Sequence, residues 1–310
     1  MPITLTLRGG TDSGVNETVT NETSLRLEAN NLTGRTTYQL QVSTDSGQTW
    51  TNASSSFTTN RRDTSHVFEY NLPGTAADGQ YLFKVIQVGN TSNTSSPLSV
   101  TIDRDADLND DLSVDVLQNL ISGSEMSALR YEVVGLDPDA RGRVTFTQTL
   151  EDSTVISHTV AVAANGVYTA DLRAAGFHDG TVQVSVSARD VARNAATGAA
   201  DSFLLDTTAP TIEDLTGNFL NGNRGQAVTV TGTAIDLGSG VASFQFWLGN
   251  DERQAIINTG DPLDPLYVDF KYGAPALTKH SLNIEVTDVL GNTALNTYSW
   301  TSDGGFMLIV

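Results

Sequence analysis

The chain is predicted to be all-β, built as three antiparallel β-sandwiches in tandem, and three observations carry this. Apolar and polar residues alternate with period two along most of the sequence, turn signals recur about every ten residues, and the pattern repeats with a period near 100 residues.

The alternation is clean at Ile3-Thr4-Leu5-Thr6-Leu7, Ser24-Leu25-Arg26-Leu27-Glu28, Tyr38-Gln39-Leu40-Gln41-Val42 and Thr181-Val182-Gln183-Val184-Ser185-Val186. Each run puts apolar side chains on one face and polar ones on the other, as a half-buried antiparallel strand requires. Asp45-Ser46-Gly47, Asn165-Gly166 and Asp179-Gly180 supply turns between such runs. Helical periodicity is hard to find.

The repeat is read from matched landmarks. A strand run opens at Asp78-Gly79-Gln80-Tyr81 and closes at Val100-Thr101-Ile102-Asp103, and its counterpart opens at Asp179-Gly180-Thr181-Val182 and closes at Phe203-Leu204-Leu205-Asp206. A third copy runs Ser281-Leu282-Asn283-Ile284-Glu285-Val286, then Asp288 and Gly291-Asn292, and ends in a strand around Tyr298 to Thr301. A period of this length means whole domains, expected at 1–103, 104–206 and 207–310. The linkers read as only a few residues long. Asp206-Thr207-Thr208-Ala209-Pro210 ends in a proline that favours extended chain, which argues for a stiff array.

Thirty-six acidic against seventeen basic residues give a net charge of −19, so the chain repels nucleic acid and anionic membranes and attracts cations. General acidity serves solubility, but it does not explain why aspartates cluster at particular loops. Cysteine is absent, which rules out disulfides, thiolate zinc sites and a cysteine nucleophile. No segment approaches the roughly 20 apolar residues of a spanning helix, so no membrane insertion is expected. Met1-Pro2-Ile3-Thr4 runs straight into a strand, and Met1 is expected to be an expression start on an internal fragment. The sequons at Asn16, Asn21, Asn31, Asn52, Asn90 and Asn93 are put down to the abundance of Thr, Ser and Asn.

No enzyme is expected. His66, His158, His178 and His280 stand in unrelated contexts, and no nucleophile-elbow, zincin, Walker or dinucleotide motif occurs. Acidic chains always offer carboxylate pairs of the kind glycoside hydrolysis uses, but aromatics are too scarce for a sugar cleft over most of the length. The irregular middle of the third repeat, from Trp247 through Asp251-Glu252 and Asp261-Pro262-Leu263-Asp264-Pro265 to Tyr267 and Tyr272, is the best place for a binding surface. Trp247 and Tyr267 are expected in the core even so, and Trp50 and Trp300 in the core or at a strand edge.

Asp206-Thr207-Thr208-Ala209-Pro210, the hairpin Ala188-Arg189-Asp190-Val191-Ala192-Arg193-Asn194 and Thr287-Asp288-Val289-Leu290-Gly291-Asn292 resemble the repeat signature of bacterial immunoglobulin-like domains in giant type I-secreted adhesins. Asp12-Ser13-Gly14-Val15-Asn16 and Val42-Ser43-Thr44-Asp45-Ser46-Gly47-Gln48-Thr49-Trp50 also resemble stretches of those repeats. The resemblance covers nearly the whole chain. It implies immunoglobulin-like sandwiches forming an extended rod between a surface retention module and a distal binding module. It also implies a secreted, cell-surface location, a role in cell adhesion, virulence or biofilm, and calcium that stiffens the junctions. The partners implied are the neighbouring domains of the same chain, with host-cell glycans met through distal domains and the chain itself monomeric. Two departures stand out: Gln87-Val88-Gly89-Asn90 lacks the hairpin aspartate, and Arg193 stands where the pattern has glycine. Two alternatives remain open: a glycan- or host-protein-binding module near an adhesin tip, and an accessory spacer of a secreted polysaccharide-degrading enzyme.

In such a sandwich the B–C and F–G loops lie at the end where the chain comes in, and the A–B and E–F loops at the end where it leaves. The second junction therefore gathers Asp206 from the linker, Asp236 and Asp288 from the following domain, and Asp179 from the preceding one. The first gathers Asp103 and Asp105, Asp137 and Asp139, Asp190, and Asp78. Such clusters repel themselves unless a cation joins them, and calcium takes about six to eight oxygens at roughly 2.3–2.6 Å. Magnesium demands a tighter octahedron. Asp103-Arg104-Asp105-Ala106-Asp107 is not an EF-hand, because Leu108 stands where glycine is needed and Val114 where the bidentate glutamate belongs. On an extended chain these three aspartates cannot all grip one ion, so two ions, or one ion and a solvated carboxylate, are expected. Asp12 and Asn16 are further candidates. For Asp78 and Asp179 a plain Asp-Gly turn competes with ligation.

Overall fold

The computed structural model describes residues 1–8, 18–222, 225–249, 252–274, 279–301 and 306–309. Asp12, Asn16 and Asp251 lie outside the described residues, as do the side chains of Tyr272, His280 and Trp300.

The first sandwich is made of β1 (Thr4–Leu7), β2 (Val19–Thr20), β3 (Ser24–Asn30), β4 (Thr37–Ser43), β5 (Thr51–Asn52), β6 (Phe57–Thr58), β7 (Ser65–Asn71), β8 (Gly79–Gln87), β9 (Asn90–Thr94) and β10 (Leu98–Ile102). One sheet has the order β1-β3-β7 and the other β2-β10-β8-β4-β5, with β6 added to β4 and β9 to β8. β1 and β2 thus lie in different sheets, and β2 runs parallel to β10. The second sandwich repeats this plan with β11 (Ser113–Val116), β12 (Leu120–Ser122), β13 (Leu129–Val134), β14 (Arg141–Thr149), β15 (Val155–Val162), β16 (Gly166–Ala170), β17 (Gly180–Arg189), β18 (Ala195–Thr197) and β19 (Asp201–Asp206). Its sheets are β11-β13-β16 and β12-β19-β17-β14-β15, with β18 on β17 and β12 again parallel to β19.

The third has β20 (Thr211–Gly222), β21 (Gly225–Ile235), β22 (Val241–Leu248), β23 (Gln254–Ile257), β24 (Leu266–Ala274), β25 (Lys279–Asp288), β26 (Thr293–Thr301) and β27 (Phe306–Ile309). Here β20 stays on β21, in a β20-β21-β24 sheet, and β27 takes the edge beside β26 in an antiparallel sense. Three pairs of sheets make three immunoglobulin-like sandwiches in tandem, with no α-helix among the described residues. None of the described residues forms a helix long and apolar enough to cross a membrane. In strand lettering, the B–C loops follow β3, β13 and β21, and the F–G loops follow β8, β17 and β25.

Each sandwich has its own core. Tyr38, Leu40 and Phe83 anchor the first, Tyr131, Phe146 and Phe203 the second, and Phe244, Ile284 and Val286 the third. The alternation read from sequence is realised on β17, where Val182, Val184, Val186 and Ala188 point inward and Gln183, Ser185, Ser187 and Arg189 outward. Each such valine contributes about 1.5–3 kcal/mol by leaving water.

The same parity corrects two expectations. Phe244, Phe246 and Leu248 are buried, so Trp247 between them lies on the outer face, half-buried. Val268 is buried, so Tyr267 faces out and is 65% exposed. The guanidinium of Arg253 lies 4.1 Å from the Trp247 ring centroid and is held by Glu285 at 3.0 Å, so the ring face that a sugar would stack on is already covered. Trp50 is a strand-edge residue at the start of β5, with Lys84 at 3.9 Å over its ring.

The two connections differ. Residues 207–210 join the second and third sandwiches, but residues 103–112 join the first and second, a longer link than its sequence suggested. Asp107 explains the length. Its buried carboxylate accepts the amides of Asp111 and Leu112, each at 3.1 Å, and so folds the link back onto the second sandwich. At Gly135 a Cβ would lie 2.3 Å from the carbonyl group of Asp111, so only glycine lets this segment pack so closely.

Candidate metal centre

At the second junction three segments distant in sequence deliver one carboxylate each. Asp206 ends β19, Asp236 follows β21 in the B–C loop, and Asp288 ends β25 at the F–G hairpin. One carboxylate oxygen from each lies within 4.8 Å of the other two, and the residues are only 1%, 6% and 2% exposed. Among the described residues no basic side chain pairs with any of them.

Backbone amides fix each carboxylate. Asp206 accepts the amides of Thr208 at 3.1 Å and Ser239 at 2.7 Å. Asp236 takes two amides, from Gly238 at 2.9 Å and Gly240 at 2.8 Å, on a single oxygen. Asp288 accepts the amide of Asn292 at 2.7 Å and its side-chain amide at 2.6 Å. These dipoles orient the acids without neutralising them. Three carboxylates this close repel by about 3 kcal/mol per pair at an effective dielectric constant near 20. Burial, together with the charges of Asp206 and Asp288, pushes the Asp236 carboxyl above its ordinary range.

Three observations fit a bound divalent cation. Ligands around one calcium at roughly 2.4 Å stand no more than about 4.8 Å apart, and the three nearest carboxylate oxygens here fall within that limit. The buried Ser239 hydroxyl, on the same loop, has no hydrogen-bond partner among the described residues and offers a further oxygen. Gly238 is the third. A Cβ there would lie 2.4 Å from Cγ of Asp206, so the loop approaches the linker carboxylate only because this side chain is missing.

Asp179 does not join the triad. Its carboxylate receives the Thr207 amide at 2.8 Å and hydroxyl at 2.7 Å, together with the Thr208 hydroxyl. Burial opposes its ionisation, but these hydroxyls and amides outweigh it and hold the carboxyl below the ordinary range. Asp78 is used in the same way at the first junction, receiving the Arg104 amide at 2.7 Å and Nε at 2.6 Å. Both aspartates clamp the residue that follows the linker aspartate.

The first junction is a looser version of the second. The hairpin is the same: Asp190 accepts the Asn194 amide at 2.8 Å and its side chain at 2.7 Å, and that side chain also reaches the Asp103 carbonyl at 2.9 Å. Asn292 does likewise for the Asp206 carbonyl at 3.2 Å. Asn194 is tied to the first sandwich too, through Asn21 at 3.1 Å. Arg193 adopts a φ of +69° where Gly291 has +88°, a left-handed conformation that costs a side-chain-bearing residue about 1–2 kcal/mol.

The B–C loop there splits its two acids. Asp139 is exposed and faces Asp103, whereas Asp137 receives the Leu108 amide at 3.0 Å. Asp105 is exposed and holds the Asp107 amide at 3.1 Å. Burial first, then the charges of Asp190 and Asp139, push the Asp103 carboxyl up to about 6.

Asn194, Asn292, Gly238 and Ser239 had no assigned role in the sequence. The asparagines were visible in the repeated hairpin four residues after each aspartate, whereas the glycine and serine had no marker.

A pH dependence follows. An acid whose pKa is raised in the folded state binds its proton more tightly there than in the unfolded chain. Asp103 and Asp236 therefore stabilise the fold at pH values below their unfolded pKa, and that contribution is lost as pH rises through the folded value. His66, whose pKa burial lowers, acts in the opposite sense over the same range, so the acids are isolated by comparison. On going from pH 7 to pH 5 in chelator, the melting temperature by scanning calorimetry should rise relative to that of an Asp103→Asn/Asp236→Asn variant. In millimolar calcium, which favours the ionised acids, that relative change should reverse sign.

No protein-family model matches the chain, and no curated protein matches it. Among solved structures it is similar to the tetra-tandem repeat in the extending region of a large adhesion protein, with 18% identity, a TM-score of 0.31, and coverage of 97% of this chain and 74% of that one. It is similar to a solved chain described under host cell surface retention of a 1.5-MDa bacterial ice-binding adhesin, at 17% identity and a TM-score of 0.38, covering 97% of this chain and 98% of that solved chain. It is also similar to the chicken CNTN1 FN1-FN3 domains at 15% identity and a TM-score of 0.32, covering 96% and 98%. These likenesses are low in both measures, and none bears on a ligand or on a residue of the site.

Proposed function

We propose that the chain is a non-catalytic spacer, an extender segment of a large secreted or cell-surface bacterial adhesin, stiffened by calcium where its domains meet. One observation carries this: the buried triad of Asp206, Asp236 and Asp288, with one acid from the linker and two from the loops of the next sandwich. An ion held there joins the end of one domain to the start of the next. The repeat signature in the linker and hairpins supports the adhesin setting. In this reading the domains divide at 1–103, 104–206 and 207–310.

The ligands at the second junction are Asp206, Asp236 and Asp288, completed by the Ser239 hydroxyl and water. At the first junction Asp103, Asp139 and Asp190 form a weaker site. Calcium is favoured over magnesium because magnesium demands a near-ideal compact octahedron and sheds its water reluctantly, whereas calcium accepts an irregular set of carboxylate, hydroxyl and water oxygens. The amide-fixed carboxylates hold their positions before the ion arrives, which lowers the cost of ordering them. Because the folded junction binds calcium and the unfolded chain does not, binding stabilises the junction by mass action, about 2.7 kcal/mol when calcium is a hundredfold above Kd.

The test is small-angle scattering of the intact chain in chelator and in millimolar calcium. A longer maximum dimension and a sharper cross-sectional profile in calcium are expected. Identical profiles would rule out stiffening by the ion.

A further inference from the structure

We propose that an arginine-lined groove on the second sandwich is an oxyanion site that takes a sulfate or phosphate group. Arg141 and Arg143 stand on β14 and Arg189 on β17, with all three exposed on the outer face of the same sheet. Arg141 is directly opposite Arg189 across the strand pair, and Arg143 is flanked by Ser187 on one side and Ala161 on the other. The small neighbours leave an open groove of about 470 Å³ bordered by the three arginines, with Ala161, Val162 and Ala163 as its apolar wall.

Three features bear on what this groove can hold. Like charges directly opposite on adjacent strands are destabilising. Yet in a chain with thirty-six acidic residues none of these three arginines has a carboxylate partner among the described residues. Arg26, Arg104, Arg173 and Arg253 are paired with an acid; among the described residues Arg35, Arg61, Arg62, Arg130 and Arg193 are not, but none of these five stands opposite another arginine across a strand pair. The single carboxylate lining the groove, Asp190, is 7% exposed and has both oxygens turned onto Asn194. The net charge of −19 does not cancel the local field, because charges beyond about 8 Å are screened at physiological salt.

Guanidinium groups meet sulfate and phosphate oxygens through paired, charge-assisted hydrogen bonds. Two arginines on adjacent strands with a third alongside suit a tetrahedral, multiply charged group better than a single carboxylate. The group is available as the free ion or as an ester on an anionic polysaccharide.

The test uses chelator-treated protein, so that it stands apart from calcium binding. Inorganic sulfate, inorganic phosphate, dextran sulfate and uncharged dextran are titrated separately while backbone amide resonances are followed. Amides at Gly142, Arg143 and Arg189 are expected to shift with the anions and not with dextran. The double variant Arg141→Ala/Arg189→Ala should weaken binding at least tenfold, whereas Arg173→Ala, on an arginine paired with Asp171, should leave it unchanged. Shifts with the free ions identify the ion itself as the ligand. Shifts with dextran sulfate alone, lost in the double variant, identify the ester on a chain. No shift with any anion, or equal weakening by Arg173→Ala, would overturn the proposal.

Discussion

Replacing Asp236 by asparagine is expected to stabilise the calcium-free chain by about 2 kcal/mol and to cancel the stabilisation that calcium confers. The substitution is nearly isosteric. The two amide bonds that Asp236 accepts, from Gly238 and Gly240, fall on one oxygen, which asparagine keeps. The new side-chain amide then donates towards Asp206 and Asp288, replacing two repulsions with two attractions. In calcium the sign reverses, because a strong anionic ligand has become a weak neutral one. Urea denaturation followed by tryptophan fluorescence in a Trp50→Phe background reports the third sandwich, since the remaining tryptophans are Trp247 and Trp300. The curves in chelator and in calcium should cross over between the parent and the variant. A variant that loses stability equally in both solutions would show that Asp236 serves only to tie its own loop.

Gly238→Ala is the second large effect, with an expected cost of about 2–3 kcal/mol and at least a tenfold loss of calcium affinity. The added carbon would lie 2.4–2.7 Å from the Cγ and both carboxylate oxygens of Asp206, so either the loop retreats or the carboxylate turns away. Both movements open the triad. The clash disappears if the carboxylate is removed, so Gly238→Ala should cost little in an Asp206→Ala background, a coupling that a double-mutant cycle isolates. Additive costs would place the damage in the backbone of the B–C loop instead.

The sequence was informative about which loops meet and much less so about what each carboxylate does there. Strand alternation and the recurrence of Asp103 at Asp206 were enough for three sandwiches, because period-two patterning and repeat length follow directly from burial on one sheet face. The convergence of Asp206, Asp236 and Asp288 follows from the same topology. By contrast, Asp78 and Asp179 were grouped with them, yet each turns onto the linker residue beside it. An aspartate beside a free amide takes the local bond, and sequence spacing does not say which amides are free.

The longer first link escaped notice because Asp107 read as one of an alternating acidic run, although it caps two amides. Trp247 and Tyr267 were expected in the core, but strand parity puts both outside. The arginine groove was invisible in sequence, since Arg141 and Arg189 are brought together only by the register of β14 on β17.

The most direct measurement is a crystal structure of the chain grown in millimolar calcium, with anomalous scattering to identify the ion. A single calcium peak at about 2.3–2.6 Å from oxygens of Asp206, Asp236 and Asp288 is the expected result. The same three side chains ordered around water alone, at that calcium concentration, would contradict a metal-joined junction.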